Sequence, residues 1–306
     1  MKVLVTGGAG YVGSELIKRL MVDPEVSQII IYDNMSRGNY NFFMGHVFAE
    51  QEKMKFVEGD LLDSRKLKNA LKDIDVVYHL AALVTTPFAN SDSHSFEQIN
   101  HWGTAELVYA VEEAKVSKFI YVSSTSVYGA SDDINTEATI PNPKTFYGAA
   151  KLRGEEHVDR LKSKMDTYIL RCGNVYGYSK CMRNDAVINR FVFEANFKNK
   201  ISIHGNGKQS RAFVHINLIS KVLSEIIHKP VPSGTYNVVD KNLRVLDIVD
   251  VVKEIFPQLE FIFVNQHLHL RQLSVSTESK LRDYIDYADK RELKEELVEF
   301  KEKFAF

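Results

Sequence analysis

Lys2-Val3-Leu4-Val5-Thr6-Gly7-Gly8-Ala9-Gly10-Tyr11-Val12-Gly13 joins a short β-rich run directly to the opening of a helix. Gly7 and Gly10 accept backbone angles that side chains resist. Main-chain N–H groups can therefore approach an anion at the positive helix end. Gly13 lets that helix pack tightly on the strand. A second apolar run, Gln28–Tyr32, ends at Asp33, twenty residues past Gly13. A carboxylate there accepts hydrogen bonds from a ribose and repels a 2′-phosphate. The stretch reads as a dinucleotide site, with NAD favoured over NADP. Arg37 keeps NADP open, because a guanidinium can neutralise a 2′-phosphate; its plainer role is that of a solvated loop arginine. Gly59-Asp60-Leu61, after the third strand, is placed to meet adenine, or serves as turn chemistry alone.

Working outward, Lys55–Val57, Asp75–Leu80 and Lys118–Ser123 read as further strands, with helices over Asp63–Leu71 and Ser95–Ala114 between them. Short apolar strands separated by helices imply a parallel sheet covered on both faces. The fold class is α/β: a Rossmann-type, doubly wound parallel sheet with a smaller C-terminal substrate-binding lobe. Residues 1–172 form the nucleotide domain, with 211–240 returning to it, and 173–210 and 241–306 form the lobe. In the latter, Ala186–Phe197, Val245–Ile255 and the charged run Asp289–Lys303 have helical spacing, while Tyr236–Val239, in the returning segment, reads as one more strand. The 306 residues are 44% hydrophobic and 26% charged, with a net charge of −1, which argues against a general nucleic-acid binder. No apolar stretch approaches membrane length. Two cysteines, Cys172 and Cys181, and no recognisable signal peptide fit a reduced cytoplasmic protein.

Tyr147-Gly148-Ala149-Ala150-Lys151 places a phenol and an ammonium four residues apart, on one helix face. An ammonium beside a tyrosine favours the phenolate and is expected to lower its pKa, giving a base for a hydroxyl proton. Ser123-Ser124-Thr125-Ser126 follows the strand starting at Lys118, so its hydroxyls are expected at the carboxyl end of the sheet, facing nicotinamide and substrate.

Taken together, the glycine loop, His79-Leu80-Ala81-Ala82, Asn100 with Gly103-Thr104, the serine run, the Tyr147/Lys151 pair and Asn174-Val175-Tyr176-Gly177 resemble the extended short-chain dehydrogenase/reductase family in its nucleotide-sugar epimerase and dehydratase branch. The resemblance continues through His204–His215 and covers about residues 2–240. It implies NAD held by Gly7, Gly10, Tyr11, Val12, Asp33, Asn34, Asp60, Leu61, Leu80, Ala81, Ala82, Asn100, Tyr147 and Lys151. Tyr147 would be the acid/base, Lys151 would hold the nicotinamide ribose and tune Tyr147, and Ser124 would bind the reacting sugar oxygen. Thr125, Ser126 and Arg183 would line the substrate, and Asn174 and Arg211 its diphosphate, a group that guanidinium suits. Arg271 would match a second phosphate-binding arginine. The chain departs from the family in having Ala212 after Arg211, where an acid is usual, and Thr125-Ser126 where the dehydratases carry Asp-Glu.

The implied activity is NAD-dependent chemistry at C4 of a nucleotide-diphosphate sugar through a 4-keto intermediate, foremost 4-epimerisation. The alternatives are a C4 dehydrogenase or 4-ketoreductase with net redox change, a reductase of a non-sugar ketone, and a non-catalytic NAD sensor. A homodimer through the helices at Ser95–Ala114 and Tyr147 is expected, with Leu107, Val108 and Val111 either on that face or in the core. No metal site is expected. His267 and His269 read as a solvated strand edge, and Cys172 reads as core.

Overall fold

The computed structural model describes residues 1–44, 51–84, 92–265, 272–287 and 291–304. In chain order the elements are β1 (Lys2–Thr6), α1 (Tyr11–Met21), β2 (Gln28–Asp33), β3 (Met54–Glu58), α2 (Ser64–Ala70), β4 (Val76–His79), α3 (Ser93–Phe96), α4 (Gly103–Glu112), β5 (Lys118–Ser124), β6 (Ile134–Asn135), α5 (Phe146–Asp159), β7 (Asp166–Cys172) and β8 (Asn174–Tyr176). There follow α6 (Val187–Lys198), β9 (Lys200–His204), β10 (Ser210–His215), α7 (Ile216–Glu225), β11 (Gly234–Val238), β12 (Lys241–Arg244), α8 (Val245–Ile255), β13 (Glu260–Val264), β14 (Ser274–Val275) and α9 (Leu293–Glu302). His267, His269 and Arg271 lie outside the described residues.

Seven strands pair in parallel in the order β11-β7-β5-β4-β1-β2-β3. The sheet reverses its winding at β1 and β4, where an open α/β sheet forms its ligand crevice. Successive side chains alternate between two cores. Val3, Val5, Ile29, Ile31 and Ile120 pack toward Leu16, Ile17 and Ile219 on one face. Leu4, Ile30, Val77, Phe119 and Ile169 pack toward Leu67, Leu107 and Val158 on the other. Leu107, Val108 and Val111 all belong to this second core, so the question left by their spacing is answered: they face the sheet.

A third core of Ile188, Phe191, Val192, Ile248, Val252, Leu297 and Phe300 ties α6, α8 and α9 together. β10 sits in a three-stranded sheet between β8 and β12, whereas α7 returns to α1, where Arg19 Nε donates to Ser220 Oγ at 3.0 Å. The helical segment expected over Ser95–Ala114 is interrupted by a wider π-type turn at Glu97–Trp102, between α3 and α4. Such turns mark places where a backbone carbonyl is freed for another partner. Here Thr104 Oγ1 donates to Asn100 O at 2.8 Å.

The Tyr11 hydroxyl donates to the Gly177 carbonyl and receives the Asn189 amide at 3.4 Å, joining α1 to the start of the smaller lobe inside the core. Tyr11→Phe should lower unfolding stability by about 1–3 kcal/mol, because it strands a buried carbonyl. Urea denaturation monitored by circular dichroism measures this, and an unchanged midpoint would show that the carbonyl finds another donor.

Candidate functional site

The crevice starts at the glycine loop. Gly7 N–H donates to Tyr32 O at 2.8 Å. Its φ is +69°, and a Cβ there would stand 2.5 Å from Ala81 N. Both the angle and the close approach demand glycine. Asp33 accepts the N–H of Ala9 at 3.0 Å through one oxygen and that of Met35 at 2.9 Å through the other. Each oxygen therefore retains a lone pair for a ribose hydroxyl. Burial raises the Asp33 carboxyl above its ordinary range, and these two N–H groups oppose the shift. Asn34 Nδ2 donates to Asp60 at 2.9 Å, and Tyr32 OH to the Asp60 carbonyl at 2.7 Å, which clips the ends of β2 and β3 into one rim. Gly10, Val12, Asn34, Asp60 and the segment Leu80–Ala82 keep surface at this rim.

Two residues read from the sequence as cofactor contacts have buried side chains, which leaves their main chain to face the rim. The Tyr11 side chain is buried by its bond to Gly177. The Leu61 side chain is buried where a Cβ on Gly103 would touch it at 3.0 Å, so it packs against the end of the π turn. Asn100 is also buried: its side chain accepts Leu83 N–H at 2.8 Å and donates to Leu83 O at 2.7 Å, clamping the segment after β4.

Fully buried His79, at the end of β4, lies between Thr6 and Thr104. Its Nδ1 is 2.8 Å from Thr6 Oγ1 and its Nε2 is 2.9 Å from Thr104 Oγ1. The Thr104 hydroxyl proton is already directed at Asn100 O, so Thr104 can only accept from His79, and the ring proton sits on Nε2. Nδ1 then accepts from Thr6. Burial, with a smaller push from the Lys151 charge, holds His79 well below the ordinary histidine range, so it stays neutral.

Tyr147 enters from the first turn of α5. Thr145 caps that helix by accepting Gly148 N–H at 3.0 Å. A Cβ on Gly148 would stand 2.6 Å from Ser126 O, so only glycine lets the helix start press against the serine turn. Tyr147 is thereby hydrogen-bonded to Ser124. Burial raises the Tyr147 phenol above its ordinary pKa, opposed by the Ser124 hydrogen bond and the Arg183 charge. This corrects the expectation of a phenol lowered by Lys151. Lys151 Nζ is buried, donates to Val122 O at 2.7 Å, and lies 4.2 Å from the Tyr121 ring centroid. Desolvation pulls it down to about 7 against the Glu155 carboxylate. In the cofactor-free chain both groups are thus drawn toward their neutral forms.

The serine run divides. Ser124 and Ser126 keep surface and bond each other at 3.1 Å. Ser123 is buried and donates to Glu155 at 2.5 Å, and Thr125 is only 2% exposed. The reason is local: Ser123 lies inside the paired part of β5, opposite Arg171, and Thr125 begins the 3₁₀ turn that tucks Val127 and Tyr128 into the core.

Exposed Asn174, on β8, donates to Ala212 O at 3.0 Å, and half-buried Arg211 is on the neighbouring β10. Ala212, where the family usually carries an acid, is fully buried. Arg183, on the 179–186 segment, pairs with Asp185 at 2.7 Å and acts electrostatically on Tyr147. Burial would raise the Asp185 carboxyl, but the Arg183 hydrogen bonds and charge outweigh it and hold it below the usual range. Cys172 is buried, its thiol facing Leu170 O at 3.6 Å and pushed up to about 12 by burial, which is core behaviour and not that of a nucleophile.

Sequence reasoning missed the buried Arg171–Glu155 ion pair, 2.7 Å across. A lone arginine inside the apolar strand Tyr168–Cys172 was the available signal, since a buried charge requires a partner.

The family model for the NAD dependent epimerase/dehydratase family matches residues 3–239. dTDP-D-glucose 4,6-dehydratase from Bos taurus is 30% identical over 297 residues, covering 95% of this chain and 78% of that protein. A putative UDP-glucose 4-epimerase from Methanocaldococcus jannaschii is 30% identical over 226 residues, covering 72% of this chain and 71% of that one. Among solved structures, a variant of UDP-glucuronic acid 4-epimerase from Bacillus cereus, in complex with UDP-4-deoxy-4-fluoro-glucuronic acid and NAD, superposes with a TM-score of 0.89 at 25% identity, covering 99% and 98% of the two chains. The chain belongs to the NAD-dependent epimerase/dehydratase family. It is an NAD-dependent enzyme of the extended short-chain dehydrogenase/reductase type.

Lys151 offers a direct test of its burial. An unfolded lysine titrates near roughly pH 10.4, and in the folded chain Lys151 titrates at about 7. Between these values the unfolded chain binds the extra proton, so this residue's contribution to stability improves as pH rises. The cofactor-free wild type should therefore gain melting temperature relative to Lys151→Met from about pH 6.5 to about pH 9.5. A gap that stays constant across that range would show that Lys151 titrates normally.

Proposed function

We propose that the chain acts at C4 of a nucleotide-diphosphate sugar through a 4-keto intermediate, and that its net reaction is 4-epimerisation. The observation that carries this reading is the junction of α5 with the serine turn. It gives one hydroxyl-bonded phenol, Tyr147, at the carboxyl end of the sheet beside the cofactor rim. Bound NAD supplies a hydride acceptor and donor; Asp33, the glycine loop and Lys151 would hold it. Ser124 donates to or accepts from the substrate oxygen at C4, fixing it against Tyr147. Tyr147 takes the hydroxyl proton as the C4 hydrogen leaves and returns a proton to the keto oxygen afterwards. Epimerisation requires that the keto sugar turn and be reduced on its other face. Asn174, Arg183 and Arg211 are assigned to the sugar and its diphosphate, which lies across β8 and β10 in this reading.

Loss of water from such an intermediate needs a base for the C5 proton and an acid for the departing hydroxyl. Ser126 is a poor base near neutral pH, and Thr125 is enclosed. Asp185 is held ionised but occupied by Arg183. Incubation with UDP- and dTDP-hexoses and NAD, followed by mass spectrometry and NMR, tests the reading. Unchanged mass with inverted C4 is expected. A product lighter by one water would overturn it, and a product lighter by two hydrogens would select the C4 dehydrogenase. Tyr147→Phe should leave the fold intact and lower turnover about 10²–10⁴-fold. Near-normal turnover would mean that another group moves the proton.

The same reading includes a homodimer. The outer surface of the π turn and α4 exposes Trp102 (53%) and Tyr109 (38%), and the start of α5 exposes Phe146 (46%), aromatic surface that suits a twofold mate. Light scattering at micromolar concentration should give twice the chain mass, and a monomer would end this part.

A further inference from the structure

Along the Tyr147 and Lys151 face of α5 runs a buried polar network. Glu155 follows Lys151 by one helical turn, and both are buried on the same side of the helix. Arg171, on β7, meets Glu155 through Nη2 at 2.7 Å and Nε at 3.1 and 3.2 Å. Ser123 Oγ donates to the same carboxylate at 2.5 Å. The remaining Arg171 nitrogen, Nη1, donates to Tyr128 OH at 3.1 Å, and Tyr128 donates to Asn237 Oδ1 at 2.8 Å. The network thus joins α5, β5, the 3₁₀ turn after it, β7 and β11. A buried pair of this kind contributes little net stability against an apolar replacement, although removing one member alone is costly.

We propose that Glu155, paired with Arg171, is a positioning residue of the active site: it locks Ser123, and with it the Ser124 strand end, in register with the Tyr147 helix, and it supplies the negative charge beside Lys151. The inference rests on the reading of Tyr147 and Lys151 given above. The register argument is geometric. Ser124 follows Ser123 directly, and the Ser123 hydroxyl is tied to the helix that carries Tyr147. A slip of α5 along β5 would therefore break the 2.5 Å contact before it reached the catalytic hydroxyl. The electrostatic argument follows from the surroundings of Lys151. They comprise Glu155 and Tyr147 on α5, Cys172 on β7, His79 on β4 and the Tyr121 ring on β5. His79 and Cys172 are both kept neutral by burial. Glu155 is therefore the group in this set whose charge favours the Lys151 ammonium, against the desolvation that opposes it.

The test uses the intact chain with NAD and the nucleotide sugar turned over in the preceding assay. Glu155→Gln combined with Arg171→Met removes both charges and leaves none stranded. The basic limb of the kcat/KM–pH profile should move to lower pH by about one unit, a tenfold change in Lys151 protonation. kcat should fall about tenfold or more, with KM for the sugar changed less than threefold. Arg171→Lys, which keeps the charge pair, should retain the wild-type limb. Ser123→Ala leaves the ion pair intact and should lower kcat about three- to tenfold without moving the limb. A folded double variant with wild-type limbs and kcat overturns the proposal, as does a uniform loss of kcat with unmoved limbs. If the double variant does not fold, a wild-type kcat in Ser123→Ala overturns it. Full turnover in Tyr147→Phe or Lys151→Met would instead reject the underlying assignment.

Discussion

Two hydrophobic cores press on the two faces of one parallel sheet, and this double burial governs where polar chemistry can stand. Leu4 serves one core and Val3 and Val5 the other, so the interiors of the central strands β1 and β4 point no side chain at water. Polar groups are pushed to the strand ends, where the ladder stops and backbone donors become free. Thr6, Asp33, His79 and Ser124 each stand at the carboxyl end of a strand. The charged pair Arg171 with Glu155, which does enter the interior, is joined to Ser123 and Tyr128 as well as to each other. An unpaired charge at that depth would cost several kcal/mol.

The same burial reverses the first expectation about the Tyr147/Lys151 pair. Helical spacing correctly places phenol and ammonium on one face, but spacing carries no information about solvent. With Lys151 closed under Val122 O and the Tyr121 ring, desolvation outweighs the mutual stabilisation of two charges. The cofactor-free site therefore rests with a raised phenol and a lowered ammonium. In the proposed reading, bound NAD would bring a positively charged ring and ribose hydroxyls to this pair and would couple its protonation to cofactor loading.

Features set by backbone constraints were readable from residues alone. Gly7 announces itself because an angle of +69° and a 2.5 Å approach leave no alternative residue, and Asp33 because the length of one strand–helix–strand unit places it. The strand alternation revealed the sheet, but not whether Leu107, Val108 and Val111 face inward, since a dimer face and a core face share one periodicity. The burial of the Tyr11 and Leu61 side chains depends on partners remote in sequence, Gly177 for Tyr11 and Gly103 for Leu61, whereas the enclosure of Thr125 comes from the 3₁₀ turn it shares with Val127 and Tyr128. Arg171 was visible as a charge in an apolar strand, yet its partner lies across the sheet on another element.

His79 links these separate pieces into one device. The proton order is set from one end. Asn100 O takes the Thr104 hydroxyl, Thr104 takes His79 Nε2–H, and His79 Nδ1 takes the Thr6 hydroxyl, whose oxygen lies 3.4 Å from the Ala81 N–H. Every step has one donor and one acceptor, and reversing any one would leave two hydrogens or two lone pairs facing each other inside the core. Asn100 occupies the π turn, and Ala81 is the residue against which Gly7 is pressed. The widened helix turn, the loop after β4 and the glycine loop therefore share a single hydrogen-bonded register. A protonated His79 would break that register, because a doubly protonated ring would face a Thr6 hydroxyl already turned toward it. The Lys151 charge, by disfavouring that protonation, helps to keep the cofactor rim assembled.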